Sequence, residues 1–306
     1  MRIAVIGAAN VDIGGFSTGA ARMHDSNPGR VHMSVGGVGR NIAANLALLG
    51  ADTELITAIG GDDRAKMLVD DLKHMGIRLN HAVSFPDAAT STYLYIADND
   101  GDMLLAVNDM AMLDRMTPEK LSAIPEAIAD CDVAVLEANL PVDTLRFLGE
   151  NLTVPLVADA VSAAKAERLK GVLPYLTALK PNRIEAEILT GRKINGRDDA
   201  RLAAEQLVSM GVQHVFLTVG EQGVCVADAS GSVFLKTQMR PMINATGAGD
   251  AFTAAIAWST AKKWNLIQTA SAGMAAAIVA VESREAVNME MSEALLLKRI
   301  SELGIC

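Results

Sequence analysis

The 306-residue sequence predicts an α/β protein: a mostly parallel sheet with helices on both faces. Three observations carry this. Short apolar runs alternate with helix-length amphipathic segments along most of the chain. The first run, Met1-Arg-Ile-Ala-Val-Ile-Gly7, is apolar nearly throughout and closes on glycine, the pattern of a strand buried on both faces. Half of the residues are apolar and only 21% are charged, which is enough to fill the core such a sheet needs.

After that first strand, residues 10–34 are polar and glycine-bearing, unlike a crossover helix. The helix waits until 39–49, where Ile42, Leu46 and Leu49 recur on one face. Residues 53–59 read as a second strand and 62–75 as a helix ended near Gly76. Two strand-like runs, 91–97 and 103–107, flank Asp98-Asn-Asp-Gly-Asp102, a turn rich in residues that tolerate positive φ. Together with 10–34 this hairpin predicts a small sheet outside the main alternation. From Asp132 the rhythm resumes: strand 133–136, helix from Pro141, strand 156–159, helix 163–173, strand 176–179, then helices at 182–190 and 198–210. Runs 215–219 and 224–227 face each other across a glycine-bounded turn, with 232–236 as a third strand, and the remainder is helical at 248–261, 267–281 and 292–303. No repeat, low-complexity tract or linker interrupts the chain, so 1–306 is expected to be one domain.

Composition also excludes. Twenty-seven basic against thirty-six acidic residues leave a net charge of −9, which disfavours a nucleic-acid or acidic-membrane surface. The richest apolar stretch, 270–281, is too short to span a bilayer. Three scattered cysteines (Cys131, Cys225, Cys306) and no N-terminal apolar export segment lead to the expectation of a reducing, cytoplasmic compartment.

Several segments can carry chemistry. In Asn244-Ala-Thr-Gly-Ala-Gly-Asp250, Gly247 and Gly249 free backbone N–H groups to turn toward a ligand, ahead of a helix whose N-terminus presents unpaired donors. That is an anion site. Asp250 in the first turn is also an ordinary dipole-stabilising residue. A phosphoryl reading gives sharper jobs: the backbone of Gly247, Ala248 and Gly249 holds the transferring oxygens, and Asp250 accepts the proton of the attacking hydroxyl. In Lys180-Pro-Asn182-Arg-Ile-Glu185, Asn182 and Glu185 have capping-box spacing, and the same spacing would aim an amide and a carboxylate at Mg²⁺-bound water beside a nucleotide. Gly36-Gly37-Val-Gly39-Arg-Asn41 fails as a dinucleotide fingerprint because Ile42 holds the third glycine position. It makes a tight turn before a helix, and its bare backbone with Asn41 equally suits a sugar. Asn10 and Asp12 point the same way if the chain stays extended, and an ionised Asp suits a vicinal diol; turn chemistry explains them as well. Thr218, Gly220 and Gly223 make a strand turn or a nucleotide contact, while Asn108, Asp109, Glu137 and Asn139 are polar groups available to a base edge or to turns and caps. There is no Walker A motif, zinc spacing or nucleophile elbow.

In combination and in this order, the motifs resemble those of the ribokinase-like (PfkB) carbohydrate kinases over nearly the whole chain. The glycine motif with Ala43-Ala-Asn-Leu-Ala-Leu-Leu-Gly50 matches the family's N-terminal motif, Asn182-Arg-Ile-Glu185 its metal-associated motif and Thr246-Gly-Ala-Gly-Asp250 its anion hole. Ser26-Asn-Pro-Gly29, Asn108-Asp-Met110, Asp159-Ala-Val-Ser-Ala-Ala-Lys165 and Asn244 are similar to the pseudouridine kinase subgroup. The resemblance implies a three-layer α/β/α fold with a small β lid, formed by about 10–34 and 91–107. It also implies ATP with Mg²⁺ and transfer to the 5′-hydroxyl of pseudouridine. By motif, Asp250 is the base and Gly247, Ala248 and Gly249 the anion hole. Asp12, Gly37 and Asn41, with Asn10 and Gly36, contact the ribose, and Asn108, Glu137, Asn139 and Lys165 meet the rest of the substrate. Asn182, Thr218, Gly220 and Gly223 meet the nucleotide, and Glu185 attends the metal. Most relatives have Asp where this chain has Asn244, so a monovalent-cation requirement is left open. The exposed lid edge allows a homodimer. The alternatives are a kinase for another nucleoside or sugar, such as adenosine or ribose, and a non-catalytic nucleotide- or sugar-binding protein of the same fold.

Overall fold

A computed structural model describes residues 1–100, 102–236 and 242–304. Gly101 in the 98–102 turn and Cys306 lie outside the described residues. The chain opens with β1 (Arg2–Ile6), two eight-residue strands β2 (Asn10–Ser17) and β3 (Gly29–Gly36), and α1 (Val38–Leu48). Next come β4 (Asp52–Ile56), β5 (Ala58–Ile59), α2 (Asp63–His74), β6 (Val83–Ser84), β7 (Thr92–Ala97), β8 (Met103–Asp109) and the short α3 (Ile124–Ala127). The βα alternation continues with β9 (Val133–Glu137), α4 (Val142–Asn151), β10 (Leu156–Asp159), α5 (Ala163–Ala166), β11 (Ala178–Lys180), α6 (Arg183–Thr190) and α7 (Arg197–Ser209). It closes with β12 (His214–Thr218), β13 (Val224–Asp228), β14 (Gly231–Leu235), α8 (Ala248–Ala261), α9 (Leu266–Val281) and α10 (Glu293–Leu303).

The central eight-stranded sheet has the order β14-β13-β12-β11-β10-β9-β1-β4. It is parallel from β4 to β12 and antiparallel at β13 and β14, because the short link from Thr218 to Val224 can close a hairpin but cannot carry a crossover. Alternate residues of β1 serve two cores. Ala4 and Ile6 pack with Leu145, Leu148 and Leu169 on one face, while Ile3 and Val5 pack with Ile42, Ala255 and Trp258 on the other. Helices therefore cover both faces, giving the three-layer α/β/α arrangement. On the second face, the small residues of α8 and α9 allow close contact; Gly273 sits where any side chain would meet the Phe252 ring.

The 10–34 and 91–107 segments form a separate four-stranded sheet ordered β3-β2-β7-β8. Register puts Asp12 opposite Ser34 and Tyr93 on one face, and aligns Val31, Gly15, Ile96 and Leu105 across all four strands on the other.

Two expected elements differ. The single strand at 53–59 is split at Thr57: β4 stays beside β1, whereas β5 turns away to pair with β6. The helix at 163–173 is one α turn followed by 3-10 turns at Glu167–Leu169 and Leu173–Tyr175, because Gly171 and Pro174 do not sustain a regular α-helix. Among the described residues no helix is long and apolar enough to cross a membrane.

Candidate active site

Glu137, Asp159, Lys180 and Thr218 are the last residues of β9, β10, β11 and β12, so four polar side chains stand on the carboxyl edge of the parallel sheet. That edge is where open α/β sheets bind ligands. The glycine motif brings α1 to it. Gly37 has φ 102°, and a Cβ there would lie 2.6 Å from the Ala8 carbonyl oxygen and 2.8 Å from the Ala9 Cα. Gly39 packs on the backbone of Gly7 and Ala8, and the Arg40 N–H donates to the Ala8 carbonyl at 3.0 Å. Gly36 leaves room for the Asp12 carboxylate, which accepts a hydrogen bond from Asn10 Nδ2 at 2.6 Å. Burial raises the pKa of Asp12, opposed by that bond and by the Arg40 charge.

At the start of α8, Gly247 has φ 83° and its α-carbon abuts the Ala286 carbonyl, which leaves no room for a side chain. Asn244 shapes the approach: its Nδ2 donates to the Arg284 carbonyl at 2.8 Å and its Oδ1 accepts from the Thr246 N–H at 2.9 Å. Asp250, in the first turn, accepts from Asn41 Nδ2 at 2.9 Å, joining two motifs 209 positions apart. Burial, reinforced by the negative charge of Asp159, pushes the Asp250 carboxyl up to about 7 against the Asn41 bond and the Lys180 charge. Its proton affinity therefore lies near neutrality, where a general base is useful.

Lys180 and Asp159 received no role from the sequence. They form a buried ion pair of 2.9 Å, and Thr253 Oγ1 donates to Asp159 at 2.6 Å. A Cβ on Gly249 would lie 2.9 Å from Lys180 Nζ, so the ammonium sits directly against the candidate anion loop. Burial lowers the Lys180 pKa, but the fields of Asp159 and Glu185 override it and the net shift is upward, keeping the ammonium charged. The available signal was positional: each is the final residue of a parallel strand.

Two cavities flank this centre. One, of about 410 Å³, is lined by Thr218, Gly220, Gly223, Ala248 and Gly249, with an apolar wall that includes Phe252. The other, of about 810 Å³, lies against the small sheet and is lined by Asp12, Arg40, Phe16, Tyr93, Tyr95 and Thr246, among others. Phe16 meets Tyr95 edge-on at 5.7 Å, and Tyr93 lies 5.9 Å from Tyr95.

The remaining candidates are placed differently. Asn182 and Glu185 do form the capping box: Asn182 Oδ1 accepts from the Glu185 N–H at 3.0 Å, and the Glu185 oxygens accept from Asn182 N and Nδ2, each at 2.8 Å. The Asn182 backbone also bridges Thr218, which puts the box beside the smaller cavity that Thr218 lines. Glu137 is fully buried and accepts from the Ala8 N–H, from the Asn139 N–H at 2.8 Å and from Asn139 Nδ2 at 2.6 Å; burial pushes its carboxyl up to about 7. Lys165 Nζ donates to Asn139 Oδ1. Glu137 thus braces the β1–β2 link at Ala8, with Asn139 and Lys165 bonded behind it. Like Asn10, Gly36, Gly37, Asn41 and Asp250, these three stand outside the wall of the larger cavity, which Asp12 lines directly. Asn108 stands exposed on β8 opposite Tyr93.

Among the described residues no group of three His, Cys, Asp or Glu side chains could hold a metal ion. A divalent ion carried by phosphates and water would need no such cluster, and the nearby carboxylate that could face it is Glu185 of the capping box.

This architecture is that of the ribokinase-like fold. Arabidopsis thaliana ribokinase complexed with ribose and ATP superposes with a TM-score of 0.88 over 98% of each chain at 20% identity. A carbohydrate kinase from Agrobacterium tumefaciens gives 0.88 over all of this chain and 98% of its own, at 30% identity. The chain belongs to the pfkB family of carbohydrate kinases, whose family model matches residues 1–293. It is thus a phosphotransferase of the sugar and nucleoside kinase class. A curated relative, the pseudouridine kinase of Escherichia coli strain K12, is 38% identical over 260 residues, covering 83% of this chain and 82% of its own length.

Proposed function

We propose that this kinase transfers the γ-phosphoryl group of ATP to the 5′-hydroxyl of pseudouridine. The observation that carries the reaction is the convergence of Asn41 from α1, Asp250 from α8 and the Gly247-Ala248-Gly249 turn on one point between the two cavities. In this reading the smaller cavity takes the nucleotide and the larger takes the acceptor. Asp12 accepts from the ribose hydroxyls, with Asn10 orienting it, and Gly36 and Gly37 let the sugar approach the backbone. Asp250 takes the proton of the 5′-hydroxyl as its oxygen bonds to the γ-phosphorus and the bond to the β–γ bridging oxygen breaks. The N–H groups of the 247–249 turn and the Lys180 ammonium face the charge that develops. Mg²⁺ brought with ATP would neutralise the phosphates, with Glu185 beside it. Asn244 is neutral and spends both ends of its amide on the loop, so activity without potassium is expected. The small sheet closes as a lid that excludes water.

Two things favour a nucleoside over a free sugar. The larger cavity exceeds what a pentose fills, and its lid face offers Phe16, Tyr93 and Tyr95 as flat apolar surface for a base. Pseudouridine in particular rests on the subgroup motifs and on the likeness to the Escherichia coli enzyme. Its C-glycosidic link frees a ring N1–H that uridine lacks, and Ser34 and Glu285 on the cavity wall offer acceptors. Leaving such an acceptor unpaired costs about 1–3 kcal/mol, roughly one to two decades in specificity.

The test is ADP formation with pseudouridine, uridine, adenosine and ribose at one fixed Mg·ATP concentration. Pseudouridine should give the highest kcat/KM, ahead of uridine by that margin. A better rate with ribose or adenosine would overturn the substrate while leaving the kinase intact.

A further inference from the structure

Asn41 has only one orientation in which it can help Asp250, and the structure contains a device that selects it. Arg40, one residue earlier, is buried, and its guanidinium grips the Asp71 carboxylate of α2 through Nε at 3.1 Å and Nη2 at 2.6 Å. The third nitrogen, Nη1, faces Asn41 Oδ1 at 3.4 Å. Asn45 Nδ2 holds the Asn41 carbonyl at 2.8 Å, so the backbone is fixed and only the amide could turn. A guanidinium donates and never accepts. Turning the amide would set its NH₂ against these donors and its oxygen against an ionised Asp250.

We propose that Arg40, clamped by Asp71, is a positioning residue that keeps Asn41 Nδ2 on the Asp250 carboxylate and so keeps Asp250 competent as a proton acceptor. The proposal rests on Asp250 being the base. Without the clamp the amide can reverse and accept from a protonated Asp250, which stabilises the neutral acid and raises the pH needed for transfer. The charged groups facing Asp250 are Asp159 on β10 and Lys180 on β11, with Glu185 on α6 acting on Lys180; the clamp touches none of them.

The experiment measures kcat and acceptor KM against pH, using the best acceptor of the panel, for the wild-type protein, Arg40→Lys, Asp71→Asn and Asp250→Asn. Lysine retains the charge but cannot hold Asp71 and Asn41 Oδ1 together in one planar fork. Arg40→Lys should move the acid limb of kcat upward by roughly one pH unit, with acceptor KM changed by less than about threefold. Asp71→Asn, which leaves Arg40 in place and is half-exposed, should move it the same way by less, and supplies the test if Arg40→Lys lowers the unfolding temperature too far to assay. An unmoved limb in the folded variants overturns the proposal. So does a manyfold rise in acceptor KM at an unmoved limb, which would make Arg40 a substrate contact. Near-normal kcat in Asp250→Asn overturns the base assignment instead, so the two failures are distinct.

Discussion

Asp250 illustrates how the same residue acquires a different meaning in three dimensions. In the sequence it is a carboxylate in a helix first turn, a place where acids are common. In the fold it shares a carboxyl edge with Asp159 and loses water, and its pKa rises to about 7. The sign of the pH dependence follows. Only the ionised carboxylate accepts a proton, so kcat should rise with pH through about 7 and fall about tenfold per unit well below it; a flat profile from pH 5 to 8 would contradict this. Asp250→Asn keeps the shape and removes the basicity, and a loss on the order of 10²–10⁴ in kcat is expected from steady-state assays. Glu137 makes the opposite case. Its oxygens serve three N–H donors, one from Ala8 in the β1–β2 link and two from Asn139 just after β9, so Glu137→Gln should leave a donor unpaired and cost about 1–3 kcal/mol in urea unfolding, whatever its effect on rate.

At the scale of elements, the α6 capping box and the α8 terminus carry the testable content. Glutamine can replace glutamate in a capping box, so Glu185→Gln should cost at most about 1 kcal/mol of stability. If Glu185 also attends the nucleotide's Mg²⁺, the variant should need more Mg²⁺ for half-maximal rate at a nearly unchanged melting temperature. A superimposable magnesium titration would reduce the motif to its cap. Elements were legible where local pattern and tertiary demand agreed: 156–159 and 248–261 coincide with β10 and α8. They were illegible where partners decided. Nothing within 53–59 announces that Ala58 and Ile59 leave the central sheet, because the reason is β6, some 25 residues away.

For the whole molecule, the small sheet has two unlike faces. One carries Asp12, Phe16, Tyr93 and Tyr95 over the larger cavity. The other exposes Val31, Ile96 and Leu105 in one cross-strand row, with Leu94 and Val107 in the next. We propose that the first face closes on the nucleoside and the second meets the same face of another copy, since the rows contain no charge that pairing would bury. Hydrogen exchange should show 10–36 and 92–109 gaining protection together on nucleoside binding; protection confined to the central sheet would contradict the lid. Val31→Glu with Leu105→Glu should convert a dimer to a monomer in sedimentation, and a wild-type monomer at micromolar concentration would exclude the pairing.

The sequence by itself determined the alternation that makes the sheet parallel, the glycine turns at 36–39 and 247–249 ahead of their helices, and the order of motifs that marks the family. These are local properties: periodicity, backbone freedom and short spacings are written in neighbouring residues. Only the tertiary structure decided that Asn41 touches Asp250, that Lys180 is pinned to Asp159 beneath Gly249, and that Glu137 at the end of β9 holds the Ala8 N–H of the β1–β2 link. Those outcomes depend on which strand ends become neighbours and on how much water each charge loses. Both are set by the packing of segments far apart in the chain, so no window of sequence contains them.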